Sequence, residues 1–197
     1  MTPRETVPAD ALIRVAGAIE RALARFAEAS GWLMVVLMLV ICFDVVSRKL
    51  GFQMPGLGST RLQELEWHLS TVLFTMWLGH CYILNSHPRV DTLTAHRPLA
   101  TRARVEIAGC LAFALPYVGV VAWYGLGFAV SSWRTGEGSE AVVGLPQRWI
   151  IKSLFIVGLW LLAAAVVAVT LRLLAYLLGR VPAETADLNI ERRVDPT

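Results

Sequence analysis

Residues 149–178 read WIIKSLFIVGLWLLAAAVVAVTLRLLAYLL and carry only two charged side chains, Lys152 and Arg172. An α-helix rises about 1.5 Å per residue, so about 20 apolar residues cross the hydrocarbon core of a bilayer. Three other stretches reach that length, at residues 31–50, 65–84 and 105–131. Backbone polar groups in lipid must bond to one another, so all four stretches are predicted to be transmembrane helices.

The composition of the whole chain supports the same conclusion. Hydrophobic residues make up 56% of the 197 residues and charged residues only 17%, against about 25% charged in ordinary soluble domains. The net charge is +3, but the basic residues lie between the apolar stretches and form no patch interleaved with aromatic residues. The sequence therefore predicts an all-α integral membrane protein and excludes a nucleic-acid-binding role.

The distribution of arginine and lysine predicts the orientation of the helices. Basic residues in short loops favour the cytoplasmic side of a membrane. Eleven arginines lie in the N-terminal segment, in the loop after the second stretch and in the C-terminal tail, whereas six lysines and arginines lie at the opposite helix ends. Both termini are therefore expected in the cytoplasm, with the loops near residues 52–61 and 132–148 on the outer side.

Three regions follow from this layout. Residues 1–30 form an N-terminal segment, residues 31–178 the four-helix membrane domain, and residues 179–197 a polar cytoplasmic tail expected to be disordered. In the first region, apolar residues recur at three- and four-residue steps: Leu12, Val15, Ile19, Leu23 and Phe26. This pattern predicts an amphipathic helix in the membrane interface, with Ser30 and Gly31 allowing a turn into the first span. The alternative is that this face docks on a partner.

Charged residues in or near the spans are the candidate functional groups, because charges in a membrane are costly. Asp44 precedes Arg48 by four residues, a spacing that pairs them on one helix face. The second span opens with Glu64, Glu66 and His68. Acidic groups at that position suit the positive end of the helix dipole. Two well-placed ligands are too few for a zinc site, so a structural role is favoured over metal binding.

Prolines and small residues predict local features of the third and fourth spans. Pro116 should kink the third span. The spacing of Gly127 and Ser131 would allow another helix to approach closely. Pro146 is a favoured first-turn residue and should begin the fourth helix.

Catalytic and cofactor-binding motifs are absent from the sequence. No nucleophile–base set, phosphate-binding loop or pair of facing histidines for haem can be identified. The three cysteines fall in different apolar stretches and are expected to be buried thiols: Cys42, Cys81 and Cys110. The sequence therefore predicts neither an enzyme nor a bound cofactor.

Two segments resemble a known family. Residues 62–93, LQELEWHLSTVLFTMWLGHCYILNSHPRVDTL, resemble the second helix and following loop of the small, DctQ-like permease subunit of tripartite ATP-independent periplasmic (TRAP) transporters. The motif after that helix is carried here by His87, Val90 and Asp91. Residues 132–152 are similar to the loop before the family's last helix. The matching positions are Ser132, Trp133, Glu137, Ser139, Gly144, Leu145, Pro146, Trp149 and Lys152.

Asp44 and Arg48 also resemble the end of the family's first helix, whereas the fourth span departs from the family pattern. Related members often have Ile-Pro-Gly where this chain has Ile156, Val157 and Gly158. The departure continues in the Ala/Val-rich residues 163–169, and it leaves the subfamily and its substrate open.

The resemblance implies a non-catalytic small subunit of a sodium-driven transporter that takes up organic acids, commonly carboxylates, across the bacterial cytoplasmic (inner) membrane. Its implied partners are a large multi-pass membrane subunit, which holds the transport sites, a periplasmic substrate-binding protein, and membrane lipid. The small subunit would act as a scaffold for the large subunit and would help to dock the binding protein.

Site residues can be assigned on that basis. The charged positions on the outer loops are candidate contacts for the binding protein: Arg61, Arg134, Glu137 and Glu140. The candidate structural polar residues are Asp44, Arg48, Glu64, Glu66, His87, Asp91 and Lys152. Two other classes remain open. A membrane anchor of an electron-transfer complex would need membrane-embedded histidines, and a small self-sufficient exporter would need a carboxylate deep in the membrane.

Overall fold

The computed structural model describes residues 10–52, 56–87, 94 and 96–186. The regular elements of this part of the chain are helices. In chain order they are α1 (Ala11–Leu50), α2 (Ser59–Ile83), α3 (Leu99–Gly109), a π-helical segment (Cys110–Ala114), α4 (Leu115–Arg134), α5 (Trp149–Leu177) and the short α6 (Ala183–Ala186).

Three helical stretches of the described chain are long and apolar enough to cross a membrane. They are α1, the continuous stretch Leu99–Arg134 and α5. The all-helical membrane architecture expected from the sequence is therefore confirmed. The remaining predicted span, residues 65–84, corresponds to α2. This helix has 25 residues but is not among the three apolar stretches, because Glu64, Glu66 and other polar residues lower its hydropathy.

The helices pack around α5. α2 lies between α1 and α5 and contacts both, α1 also contacts α5, and α4 packs on α5. Large apolar side chains cover the outside of this group; Trp32, Trp123 and Tyr124 are 73%, 73% and 74% exposed. Apolar exteriors of this extent are suited to lipid or to another membrane subunit, and not to water. Cys42, expected to be buried, lies on this exposed surface of α1.

The closest approach between two helices is made by glycines of α2 and α5. A Cβ atom on Gly79 would lie 2.6 Å from the carbonyl oxygen of Leu161, and one on Gly158 would lie 2.5 Å from Cβ of Thr75. Small residues let helix backbones come this near without a clash. The close approach predicted at Gly127 is not made among the described residues, because none of them comes within 4 Å of a Cβ atom placed there.

The predicted turn between the amphipathic segment and the first span is absent. α1 runs unbroken for 40 residues, and the Ser30 hydroxyl donates a hydrogen bond to the carbonyl of Ala27 within it. Ala16 and Leu23 are buried, and Glu20 forms an ion pair with Arg172 of α5. One side of the segment therefore packs on this chain, which corrects the expectation of a separate interfacial helix.

The C-terminal residues extend this packing. Val181 and Ala186 are buried in a cluster with Ala103, Leu173 and Ala175. The first residues of the tail are therefore folded, which differs from the expectation of a disordered tail from residue 179. Residues 187–197 lie outside the described part of the chain.

Pro116 is accommodated by the π-helical segment that precedes it. The N–H group of Leu115 donates to the carbonyl of Cys110, a bond that spans one residue more than in an α-helix. Proline lacks an N–H group and its ring crowds the preceding turn. A wider turn relieves that crowding, and so the disruption expected at Pro116 takes this form.

Candidate functional site

The loop between α4 and α5, residues 135–148, is held by hydrogen bonds and ion pairs to α2 and α5. It follows Arg134 and ends where α5 begins at Trp149, three residues later than Pro146 suggested. Gln147 has a φ angle of +62°, which is incompatible with a right-handed helix, so the helix cannot start before it. Polar side chains of α2 and α5 hold this loop in place.

Glu64 of α2 is the main anchor of the loop. Its carboxylate accepts a hydrogen bond from the Ser139 hydroxyl and another, of 2.5 Å, from the backbone N–H of Leu145. A guanidinium nitrogen of Arg148 lies 3.8 Å away. A Cβ atom on Gly144 would lie only 2.7 Å from Glu64 Oε2, so the loop can pass over this carboxylate only with glycine there.

Glu137 and Lys152 form a second anchor at the start of α5. The Lys152 ammonium lies 2.5 Å from the Glu137 carboxylate and 3.5 Å from the centre of the Phe128 ring. The hydrogen bond from Lys152 holds the pKa of Glu137, which lies in the loop, below its ordinary value. The backbone N–H of Arg148 also donates to the carbonyl of Glu137, so this residue closes the loop through both its side chain and its backbone.

Arg61 joins the α1–α2 loop to the α4–α5 loop. Its guanidinium donates to the carbonyls of Val143, at 2.8 Å, and Gly56, at 2.7 Å. Arg61 and Glu137, two of the four candidate contacts for a binding protein, are thus already bonded within the chain. Arg134 and Glu140 are exposed and make no hydrogen bond or ion pair with the described residues.

Asp44 connects the end of α1 to the start of α2. It is fully buried, its carboxylate lies 2.7 Å from Arg48, and it accepts a 3.2 Å hydrogen bond from the Ser59 hydroxyl. Glu66 faces this pair from α2, and its buried Oε1 makes no hydrogen bond with the described residues. The polar residues singled out near this helix end therefore lie together.

Two of the four histidines, His68 and His87, contact other groups of this chain. Nδ1 of His68 lies 2.5 Å from the backbone carbonyl of Glu64, and its ring lies against Trp67. The ring of His87 is 6.4 Å from that of Tyr82. No group of three or more potential metal ligands occurs among the described residues. Asp91, assigned a structural role from the sequence, lies outside them.

We call five residues the loop cluster: Glu64, Glu137, Ser139, Arg148 and Lys152. Two of them, Ser139 and Arg148, were not predicted as site residues from the sequence. Ser139 and Arg148 were not expected to meet Glu64, which is 75 positions from Ser139. The available signal was the Glu-x-Ser and Gly-Leu-Pro pattern of residues 137–146, which marks the loop but not its partner helix.

Fold and site together define a helical membrane protein whose clustered polar groups bind one another and brace the loops. The family model of the DctQ component of tripartite ATP-independent periplasmic transporters matches residues 37–175. The chain therefore belongs to this family of transporter components, which confirms the resemblance found in the sequence. No curated protein and no solved structure matched the chain in the corresponding comparisons.

The match begins inside α1 and ends inside α5. It includes Asp44 and the whole loop cluster, whereas residues 11–36 of α1, with their packing on the end of α5, lie outside it. A component of a tripartite transporter implies partner subunits, and the apolar exterior of this chain offers surface for them.

Proposed function

We propose that this chain is the non-catalytic small subunit of a sodium-driven TRAP transporter for organic acids, commonly carboxylates. It acts as a scaffold for the large membrane subunit and helps to dock the periplasmic binding protein. The observation that supports the proposal is that contacts within the chain hold its helices and one of its loops together. α2 and α5 meet backbone to backbone at Gly79 and Gly158, and the loop cluster ties the outer loop to both helices. A subunit held together in this way can remain fixed while the large membrane subunit moves against it.

The proposed topology has four spans in the bacterial cytoplasmic membrane, with both termini in the cytoplasm. α2, with 25 residues, is about 37 Å long at 1.5 Å per residue, which is enough to cross the core. Its contacts with α1 and α5 reduce the lipid exposure of its less apolar surface. The excess of arginine on the side of the termini supports the orientation.

Docking of the binding protein is assigned to the part of the outer loops that is not used in bracing. Arg134 and Glu140 are exposed and unbonded among the described residues, and Val142 is fully exposed between them and the start of α5. Exposed charges of both signs steer and orient a partner more than they hold it. Arg61 and Glu137 then contribute by keeping this loop in shape.

The proposal is tested by purifying the tagged chain from its native membrane in mild detergent and identifying by mass spectrometry what co-purifies. We expect a much larger multi-pass protein at a fixed ratio. In proteoliposomes containing both subunits, sodium-dependent uptake should require the binding protein and should fall in an Arg134→Glu, Glu140→Lys variant. A chain that purifies alone, or with redox subunits and a haem absorbance band, would contradict the proposal.

A further inference from the structure

A lateral cleft opens between α2, α4 and α5. Its volume is about 610 Å³, within the range of about 300–1,000 Å³ that is usual for ligand sites. Its walls are almost entirely apolar and include Trp67, Val120, Tyr124, Phe155 and Ile156.

Two cations mark one end of this cleft. Arg148 and Lys152 belong to its lining, whereas the carboxylates that pair with them, Glu64 and Glu137, do not. The Nε atom of Arg148 is buried and makes no hydrogen bond with the described residues. Its nearest ion-pair contact, with Glu64, is 3.8 Å long. The Arg148 side chain is 25% exposed, and it is therefore less closely paired than Lys152, which lies 2.5 Å from Glu137.

The length of the cleft fits one leaflet of a bilayer. Phe128, beside Lys152, and Val120 both line it and are eight residues apart on α4, or about 12 Å along the helix. Half of the hydrocarbon core is about 15 Å thick. In the proposed topology, the cationic end lies at the outer boundary of the membrane and the apolar walls extend inward from it.

We propose that this cleft binds an anionic phospholipid of the outer leaflet, with an acyl chain along the apolar walls and the phosphate at Arg148 and Lys152. The orientation of the lipid rests on the topology proposed above. An apolar helix of a partner would fill the walls but would offer no anion to Arg148, whose contact with Glu64 is 3.8 Å long. Because Glu137 already neutralises much of the Lys152 charge, Arg148 supplies most of the preference for an anionic headgroup.

The test uses the full chain in nanodiscs made of equal amounts of phosphatidylglycerol and phosphatidylcholine, with retained lipid counted by native mass spectrometry. We expect phosphatidylglycerol to be retained preferentially. Arg148→Gln should reduce that preference about fivefold, the effect of one basic group near a headgroup. The matched control is Arg134→Gln, which removes the same charge near the other end of the α4–α5 loop but outside the cleft.

A second pair of variants tests the walls. Val120→Trp places a large ring in the cleft from an exposed position and should reduce the amount of retained lipid of both kinds. Leu126→Trp makes a comparable change on α4 outside the cleft and should have no effect. Equal retention of the two lipids, or an equal loss in Arg134→Gln, would overturn the proposal. So would loss of the lipid when the large subunit binds. Lipid retention is measured on this chain alone. Its outcome therefore does not depend on whether the scaffold proposal is correct.

Discussion

Two residues of the loop cluster, Glu137 and Glu64, were assigned one role from the sequence but make a different contact in the structure. Glu137 was a candidate contact for a binding protein because it lies on an outer loop, but its carboxylate is held by Lys152. Glu64 was expected to act through the helix dipole, and instead it bonds to Ser139 and Leu145 of the distant loop. For both residues, the position along the chain is informative, whereas the partner is set by the fold.

The Glu137–Lys152 contact predicts a pH dependence of the loop. Lys152 lowers the pKa of Glu137 from its ordinary value of 4.5, so the contact stabilises the loop above pH 4.5 and is lost as the pH falls through the lowered pKa. We expect hydrogen exchange of residues 135–148, corrected for its intrinsic pH dependence, to stay slow from neutral pH down to 4.5 and to accelerate only below that.

Two variants identify the group responsible. Glu137→Gln should exchange faster at neutral pH and should show a smaller acid-dependent step, because the Glu64 carboxylate still anchors the loop. Glu140→Gln removes an exposed carboxylate of the same loop that makes no bond to the described residues, and it should behave like the unsubstituted chain. An acid-dependent step of unchanged size in Glu137→Gln would show that Glu137 does not contribute to closing the loop.

At the scale of elements, the contact between α2 and α5 depends on two residues without side chains. Thr75 is fully buried against Gly158, and its hydroxyl donates to the carbonyl of Thr71 in its own helix. Threonine can therefore be buried there without an unsatisfied polar group. At residues 156–158 this chain departs from the family pattern at Val157 but keeps Gly158, the glycine that this contact requires.

Gly158→Leu should separate α2 from α5. We expect the free energy of unfolding to fall by about 1–3 kcal/mol, the usual effect of overpacking a tight contact. Thermal unfolding in detergent measures this loss. Gly127→Leu on α4 is the matched control, because no neighbour in the described part of the chain lies within 4 Å of its added Cβ atom. It should unfold near the temperature of the unsubstituted chain. Equal effects of the two substitutions would show that the helices do not meet at Gly158.

At the scale of the whole molecule, α1 changes the expected division into regions. Its 40 residues extend about 60 Å, twice the thickness of the hydrocarbon core. Since its first half packs on the end of α5 and pairs Glu20 with Arg172, the N-terminal segment and the membrane domain form one body. Its half-exposed residues Val15 and Phe26 remain available to lipid or to a partner.

The four-span topology predicts which positions a membrane-impermeant thiol reagent can reach. In a chain whose three cysteines are replaced by serine, Phe52→Cys and Val142→Cys should be labelled in spheroplasts, because both positions are exposed in outer loops. Ser86→Cys and Leu178→Cys are also exposed but should be labelled only after lysis. Labelling of Phe52→Cys and Ser86→Cys from the same side would show that α2 does not cross the membrane.

The helical membrane class, the approximate bounds of the apolar helices and the family could be predicted from the sequence alone, because they depend on local length, hydropathy and motif order. Pairing of Asp44 with Arg48 was equally accessible, since a spacing of four residues places two side chains on one face. These properties need no knowledge of how one helix is rotated against another.

The tertiary structure decided everything that depends on rotation and on long-range partners. The faces that α2, α4 and α5 turn toward each other decide that Gly79 and Gly158 lie in a close helix contact, whereas Gly127 makes no such contact with the residues described in the structure. α1 continues through Ser30, whose hydroxyl bonds within the helix, and its earlier residue Glu20 pairs with Arg172 of α5. In an apolar chain nearly every helix face looks suited to burial, so hydropathy cannot choose among faces, and only the close packing of specific side chains does.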